Sequence, residues 1–315
     1  MIQPSLVAST PFDAHSPEAH AIALLFTQTL VICAVILAVV VGLVAFCVVR
    51  FRARPGDPEP PQIEGHKRLE ITWTIIPCLI VTVLFVLTAQ TMAASDAPPD
   101  REPDLVVIGH QWWWEARYPS GAVAANEIHI PAGRDLIVRI ESGDVIHDFW
   151  VPQLGRKIDA TPGHPTTIRT HADVPGTYLG TCAEYCGAEH AWMRIRVVAE
   201  AQADFDAWES HQLEPAPAPS TQSARRGAAL FRERTCIKCH AIADALDTAG
   251  ARVAPDLTHL ASRSTLGAGV LVNNPVNLAA WLKDPQAIKP DSHMPSLRLS
   301  DAETHDLVSY FEELP

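Results

Sequence analysis

The sequence predicts a multidomain chain: a two-helix transmembrane hairpin, then an all-β sandwich, then a small all-α domain. Three observations carry that prediction. Two long charge-free stretches lie near the N-terminus, short β-branched runs fill the middle, and helical periodicity returns after a Pro/Ala-rich segment. The 315 residues suffice for two or three units of ~100–200 residues each. With 48% hydrophobic and 19% charged residues, the chain is not a disordered one. Its 26 prolines exclude a continuous helical rod, and seven cysteines are too few for a disulfide-stapled miniprotein. A net charge of −12 lacks the basic footprint of a nucleic-acid binder, so no nucleic-acid partner is expected.

The hairpin comes first. Ala21 to Val49 and Ile71 to Ser95 carry no charged residue, and each exceeds the ~20 residues needed to cross a bilayer. No Lys or Arg precedes the first run, and it is longer than the apolar stretch of a cleaved signal. Arg50, Arg52, Arg54, Lys67 and Arg68 lie between the runs, which predicts a cytoplasmic loop and both termini outside. Everything after residue 95 then faces an oxidising compartment, and membrane lipid surrounds the spans. Cys33, Cys47 and Cys78 read as small buried hydrophobes within them.

The sandwich follows. Leu105–Ile108, Glu127–Ile130, Leu136–Ile140, Thr166–Arg169 and Met193–Val198 alternate or are β-branched, with Gly, Pro, Asp and Asn between them. Residues 95–214 hold 19 acidic against 9 basic side chains, a field that would steer a cationic partner. Residues 214–223, Pro/Ala-rich, read as a stiff extended spacer. Beyond them, Ala224 to Arg234 and Leu278 to Lys283 are predicted helices, and Ser300 with Glu303 forms a capping box for a last one. The expected domains are thus 1–95 (N-terminal segment and hairpin, spans about 21–49 and 71–95), 96–213, the 214–223 linker and 224–315.

Two motifs carry chemistry. Cys236-Ile-Lys-Cys239-His240 is a C-x-x-C-H run, whose thiols can form thioethers to haem while the adjacent imidazole ligates iron. A thioredoxin-like pair would want a βαβ setting, and a zinc site would want a second Cys/His pair at short spacing. Met294, in His293-Met294-Pro295, is the one methionine in the helical region and the expected sixth ligand. His259 and His293 compete for that role. The second motif is Cys182-Ala-Glu184-Tyr-Cys186-Gly-Ala-Glu-His190-Ala-Trp-Met193, with His147 as an additional imidazole upstream. Soft sulfur with imidazole selects copper over hard cations. A Cys182–Cys186 disulfide, a Cys2His2 zinc site and a mononuclear blue-copper site are the alternatives. Two copper ions with bridging sulfurs use every donor.

The Cys182–Met193 run, the His147 segment, Gly109-His-Gln-Trp-Trp-Trp114 and Glu70-Ile-Thr-Trp73 resemble subunit II of the haem–copper cytochrome c oxidases. The Cys236–His240 region resembles the bacterial type in which cytochrome c is fused to that subunit. The resemblance covers the chain from about residue 20 to its end. It implies a transmembrane hairpin, a cupredoxin-like sandwich and a class I cytochrome c domain with covalent haem c. It implies a binuclear copper site on His147, Cys182, Cys186, His190, Met193 and the Glu184 carbonyl, with the Glu184 side chain on magnesium at the subunit I interface. Trp112 matches the electron-input aromatic, although the triple Trp departs from the commoner Trp-Tyr-Trp. Glu70 matches a proton-uptake carboxylate; alternatively it simply ends a helix at the membrane interface. Subunits I and III and cytochrome c are the implied partners. The bacterial inner membrane is the implied location, with the copper and haem domains on the periplasmic side. The implied function is electron transfer to subunit I for oxygen reduction coupled to proton translocation. The small subunit of a nitric-oxide reductase with the same copper centre is the alternative function. A copper-delivery protein is the non-enzyme alternative.

Overall fold

A computed structural model describes residues 10–59, 61–95, 101–243 and 253–315. The expected starts of the N-terminal segment and of the sandwich, at residues 1 and 96, lie outside the described residues. Among the described residues, those of Met1–Ala19 and Ala97–Pro315 cluster as one compact unit and those of His20–Asp96 as another.

The second unit holds the bulk of α1 (Pro17–Arg50) and all of α2 (Lys67–Ser95). Both are long and apolar enough to cross a membrane, and neither apolar window is buried by protein. Cys33, Cys47 and Cys78 are therefore exposed on these helices, not buried among protein neighbours. Hydroxyls inside the apolar segments are satisfied locally: Thr27 Oγ1 donates to the Ala23 carbonyl and Thr82 Oγ1 to the Cys78 carbonyl, each at 2.8 Å. Glu70 accepts a hydrogen bond from the His66 amide, and the His66 ring accepts one from Leu69, so the pair caps the start of α2.

The first unit begins with two five-stranded sheets. One runs in the order β3 (Val123–Ala125), β2 (Trp113–Arg117), β1 (Leu105–His110), β5 (Leu136–Ser142), β8 (Thr166–Thr170). The other runs β4 (Glu127–Pro131), β10 (Arg194–Glu200), β9 (Gly176–Cys182), β6 (His147–Trp150), β7 (Ile158–Ala160). Pairing is antiparallel except for β1 with β5 and β10 with β4. Inward-facing Val107, Ile140, Ile128, Ile195 and Trp114 build one core with Phe205 of α3 (Gln202–Gln212). Met193 ends a 3-10 turn instead of opening a strand, and β10 starts at Arg194. The segment before α1 joins this unit: Ser16 Oγ donates to the Leu154 carbonyl and caps the Ala19 amide.

The helical domain comprises α4 (Gln222–Glu233), a ribbon of β11 (Thr265–Leu266) with β12 (Leu271–Val272), α5 (Pro275–Lys283), α6 (Pro285–Ile288) and α7 (Asp301–Phe311). Ser300 and Glu303 form the capping box on α7, a device worth about 1 kcal/mol. α4 crosses α7 at Gly227, where an added Cβ would lie 2.1 Å from the Asp306 carbonyl oxygen. The 214–223 segment is extended but does not swing free. The Ala216 amide donates to Ala243, and Ser220 bonds Glu313, so the segment lies along the helical domain.

Candidate metal centre

Strand pairing sets the first contacts. Phe149 of β6 pairs with Cys182 of β9, which brings His147 beside the Cys182 thiol. The Cys182 amide donates to the Met193 carbonyl and closes the loop between them. Cys182 Sγ then lies 3.8 Å from Cys186 Sγ, 3.9 Å from His147 Nδ1 and 3.2 Å from the Glu184 carbonyl oxygen. Cys186 Sγ lies 3.6 Å from His190 Nδ1 and 3.8 Å from Met193 Sδ. Two ligands each ~2.3 Å from one ion at a tetrahedral angle would sit roughly 3.8 Å apart, so the spacings suit soft metal. The two thiols are free, at nearly twice the ~2.05 Å of a disulfide. His147, Cys182, Cys186 and Met193 are buried, and the Glu184 side chain is exposed.

The electrostatics favour a thiolate there. The hydrogen bond shared with Cys186 pulls the Cys182 thiol far below its ordinary range and pushes Cys186 up. A bound cation would take both as thiolates. Asp144 is a residue that sequence reasoning missed. Its carboxylate holds His147 Nε2 at 2.7 Å and leaves Nδ1 aimed at Cys182. A carboxylate three residues before an expected ligand was the available signal.

The second site is built on a 3-10 turn, Cys236–Lys238, which presents both cysteines. His240 Nδ1 lies 2.7 Å from the Pro255 carbonyl; donating there leaves Nε2 with a free lone pair. Burial lowers the His240 pKa and keeps the ring neutral, as a metal ligand must be. Met294 packs against the core of the helical domain, as does Cys236. Its carbonyl accepts from Gln286 Nε2 at 2.8 Å. These residues fit a covalently held haem. Of the competitors, His259 is buried with Nδ1 on the Pro315 carbonyl, and the His293 ring packs 5.0 Å from Trp112.

Trp112 links the two sites. Its indole N–H donates to the Cys186 carbonyl at 3.0 Å, and Gln111 Nε2 donates to the same oxygen at 2.8 Å. Gly187, at φ +116°, lets the copper loop pass under the indole; a Cβ would lie 3.0 Å from Trp112 Cζ2. Trp114 is fully buried core, and the Trp113 ring stacks on His110.

Three families match the chain. Residues 8–90 match the transmembrane domain of Cytochrome C oxidase subunit II, 121–200 its periplasmic domain, and 224–315 Cytochrome c. The Cytochrome c oxidase subunit 2 of Alkalihalophilus pseudofirmus is 35% identical over 97% of this chain and 90% of its own length. That of Bacillus subtilis is 32% identical over 85% of this chain and 81% of its own. A solved structure, the periplasmic domain of subunit II of cytochrome oxidase from Bradyrhizobium japonicum, is 29% identical over 36% of this chain and 94% of that chain, with a TM-score of 0.34. With its transmembrane, periplasmic and cytochrome c regions all matched, the chain belongs to the cytochrome c oxidase subunit II family, as a membrane member carrying a cytochrome c domain.

Proposed function

We propose that the chain passes electrons from cytochrome c, external or fused, by way of a binuclear copper centre to subunit I, where oxygen is reduced to water with proton translocation. The observation that carries this reading is the gathering of Cys182, Cys186, His190, Met193 and the Glu184 carbonyl in one loop with His147 of β6 beside it, the two thiols and the Met193 sulfur being buried. Two copper ions and a haem c, when bound, supply one-electron carriers whose charge is spread over many atoms. The chain's own residues do the rest. Cys182 and Cys186 would hold copper as thiolates, and Asp144 fixes the His147 ring. Burial excludes water from the sulfurs. Cys236, Cys239, His240 and Met294 would hold the haem, the cysteines by their sulfurs and His240 and Met294 as the candidate iron ligands. Trp112 takes in the electron and is joined to the copper loop through the Cys186 carbonyl.

The exposed Glu184 carboxylate is available to magnesium at the subunit I interface. Glu70 caps α2, which favours a structural role for it, and its exposed carboxylate is also open to proton uptake beside subunit I. The basic loop between the helices orients the copper and haem domains to the periplasmic side of a bacterial inner membrane, where subunit III and lipid complete the assembly. The curated relatives carry oxidase names, so the nitric-oxide reductase alternative is not favoured.

Electron paramagnetic resonance of the copper-loaded full chain tests the reading. A multi-line spectrum of one electron shared by two coppers is expected. A four-line single-copper signal, or no stoichiometric copper, overturns it.

A further inference from the structure

Lysine side chains are almost never fully buried unless paired. Lys289 is 3% exposed, yet among the described residues no carboxylate bonds its ammonium. Instead Nζ donates to three carbonyls: Trp112 at 2.9 Å, Trp192 at 3.3 Å and Gly267 at 3.4 Å. An ammonium has three N–H donors, and each finds an acceptor here. Trp112 and Trp192 belong to the copper domain, one beside Gln111 and the other adjacent to Met193. Gly267 belongs to the helical domain. The lysine thus spans the joint between the two domains.

Lys289 is also rigidly tied to Met294. Gln286 donates to the Ser292 carbonyl at 2.7 Å and to the Met294 carbonyl at 2.8 Å, while accepting from the Asp291 amide. Gln286 thus ties the end of α6 to the segment that carries Met294. His293, on that loop, lays its ring 5.0 Å from the Trp112 ring, and Trp112 is only 8% exposed. Burial pulls the ammonium down to about 8, against the opposing charge of the buried Glu189.

We propose that Lys289 is a positioning residue: it seats the Met294 loop on Trp112 and so fixes the distance between the two redox sites. The proposal rests on the reading of Trp112 as the electron-input residue. The joint has other fastenings. The buried Glu127 carboxylate accepts from the amides and hydroxyls of Ser264 and Thr265, and Arg194 donates to the Gly269 carbonyl at 3.2 Å. Those bonds hold the β11–β12 hairpin, whose Gly267 carbonyl also accepts from Lys289, and do not touch the 286–294 segment itself. Among the described residues, only Lys289 bonds that loop to both copper-domain tryptophan carbonyls.

The test is Lys289→Met in the full chain, assembled in its complex. Two quantities are read: hydroxyl-radical labelling of Trp112, with and without metal, and the rate of haem-to-copper electron transfer after photoreduction. Labelling is expected to rise several-fold and transfer to slow at least tenfold, with the haem potential and copper spectrum unchanged. Unchanged labelling, or raised labelling at an unchanged rate, overturns the proposal. If the Met variant does not accumulate, Lys289→Gln retains two of the three N–H donors, on a shorter side chain, and is expected to show the same two changes, reduced in size. A Trp112→Phe variant separates the underlying reading. If it transfers at the parent rate while Lys289→Met still slows transfer, Trp112 is not the input and the seating role of Lys289 stands.

Discussion

The candidate copper and haem regions hold their expected ligands in opposite ways. At the copper region the donors meet one another: sulfur, nitrogen and carbonyl oxygen lie 3.2–3.9 Å apart within a loop closed by the Cys182–Met193 backbone bond. Four of the five side-chain donors come from twelve consecutive residues, and the fifth arrives by strand pairing. At the haem region each donor is held by its own support. The Pro255 carbonyl orients His240, and Gln286 pins the loop of Met294. The difference follows from size. An ion needs its ligands within a few ångströms of a point, whereas a haem is itself the scaffold that joins distant ligands. A preformed cage results in one case and separately anchored ligands in the other.

That contrast is broken most strongly at Met294. If the haem ligands are independently held, Met294→Leu leaves the thioether attachment and His240 intact. The haem potential should fall by at least about 0.1 V, within the ~0.8 V that axial ligands command. Redox titration of the haem checks this, and an unchanged potential removes Met294 from the iron. The copper region should respond differently, because its donors depend on one another. Asp144→Asn keeps the shape of the support but loses its charge on His147 Nε2. Copper affinity is then expected to fall ~10–100-fold, the usual effect of losing a carboxylate behind a histidine ligand. Competition with a copper chelator measures it. Unchanged affinity would mean that the cage orients His147 without Asp144.

The same contrast explains what the sequence disclosed. The meeting of Cys182, Cys186, His190 and Met193 was legible because these donor types are compressed into twelve residues, and C-x-x-C-H because it is a short motif of fixed spacing. The two apolar spans and the strand runs were legible because periodicity is a local property. Asp144 was visible in the same short segment as His147 but carried no metal-ligand pattern of its own. Lys289 was not legible at all. A lysine beside Pro290 in a polar loop reads as solvated, and only the docking of two domains 177 positions apart, Trp112 against Lys289, desolvates it. The docking of the Pro/Ala segment was not legible for a related reason. Its composition correctly indicates an extended backbone, but composition does not encode whether an extended segment is docked, as Ala216 and Ser220 are.

The smallest expected effect separates the protein scaffold from both redox sites. His129 lies in the sandwich away from the ligands, stacked on Trp208 at 4.1 Å with Nδ1 2.9 Å from Glu200. Burial lowers its pKa below 6.5, and Glu200 only partly offsets that. His259, in the helical domain, is likewise lowered by burial. Above about pH 6.5 both rings are neutral whether folded or unfolded, and their contribution to stability is complete. As pH falls through 6.5 the unfolded chain binds these protons first, so stability declines toward the lower folded pKa. These imidazoles therefore contribute a drop in the melting temperature of the full chain between pH 7 and 5, against the opposite contribution of Asp148, whose carboxyl burial raises to about 6. His129→Gln should remove its share of that drop, because one of the depressed imidazoles no longer titrates, while every other titrating group is common to both proteins. Equal slopes for the parent and the variant would show that Glu200 cancels the burial of His129 entirely.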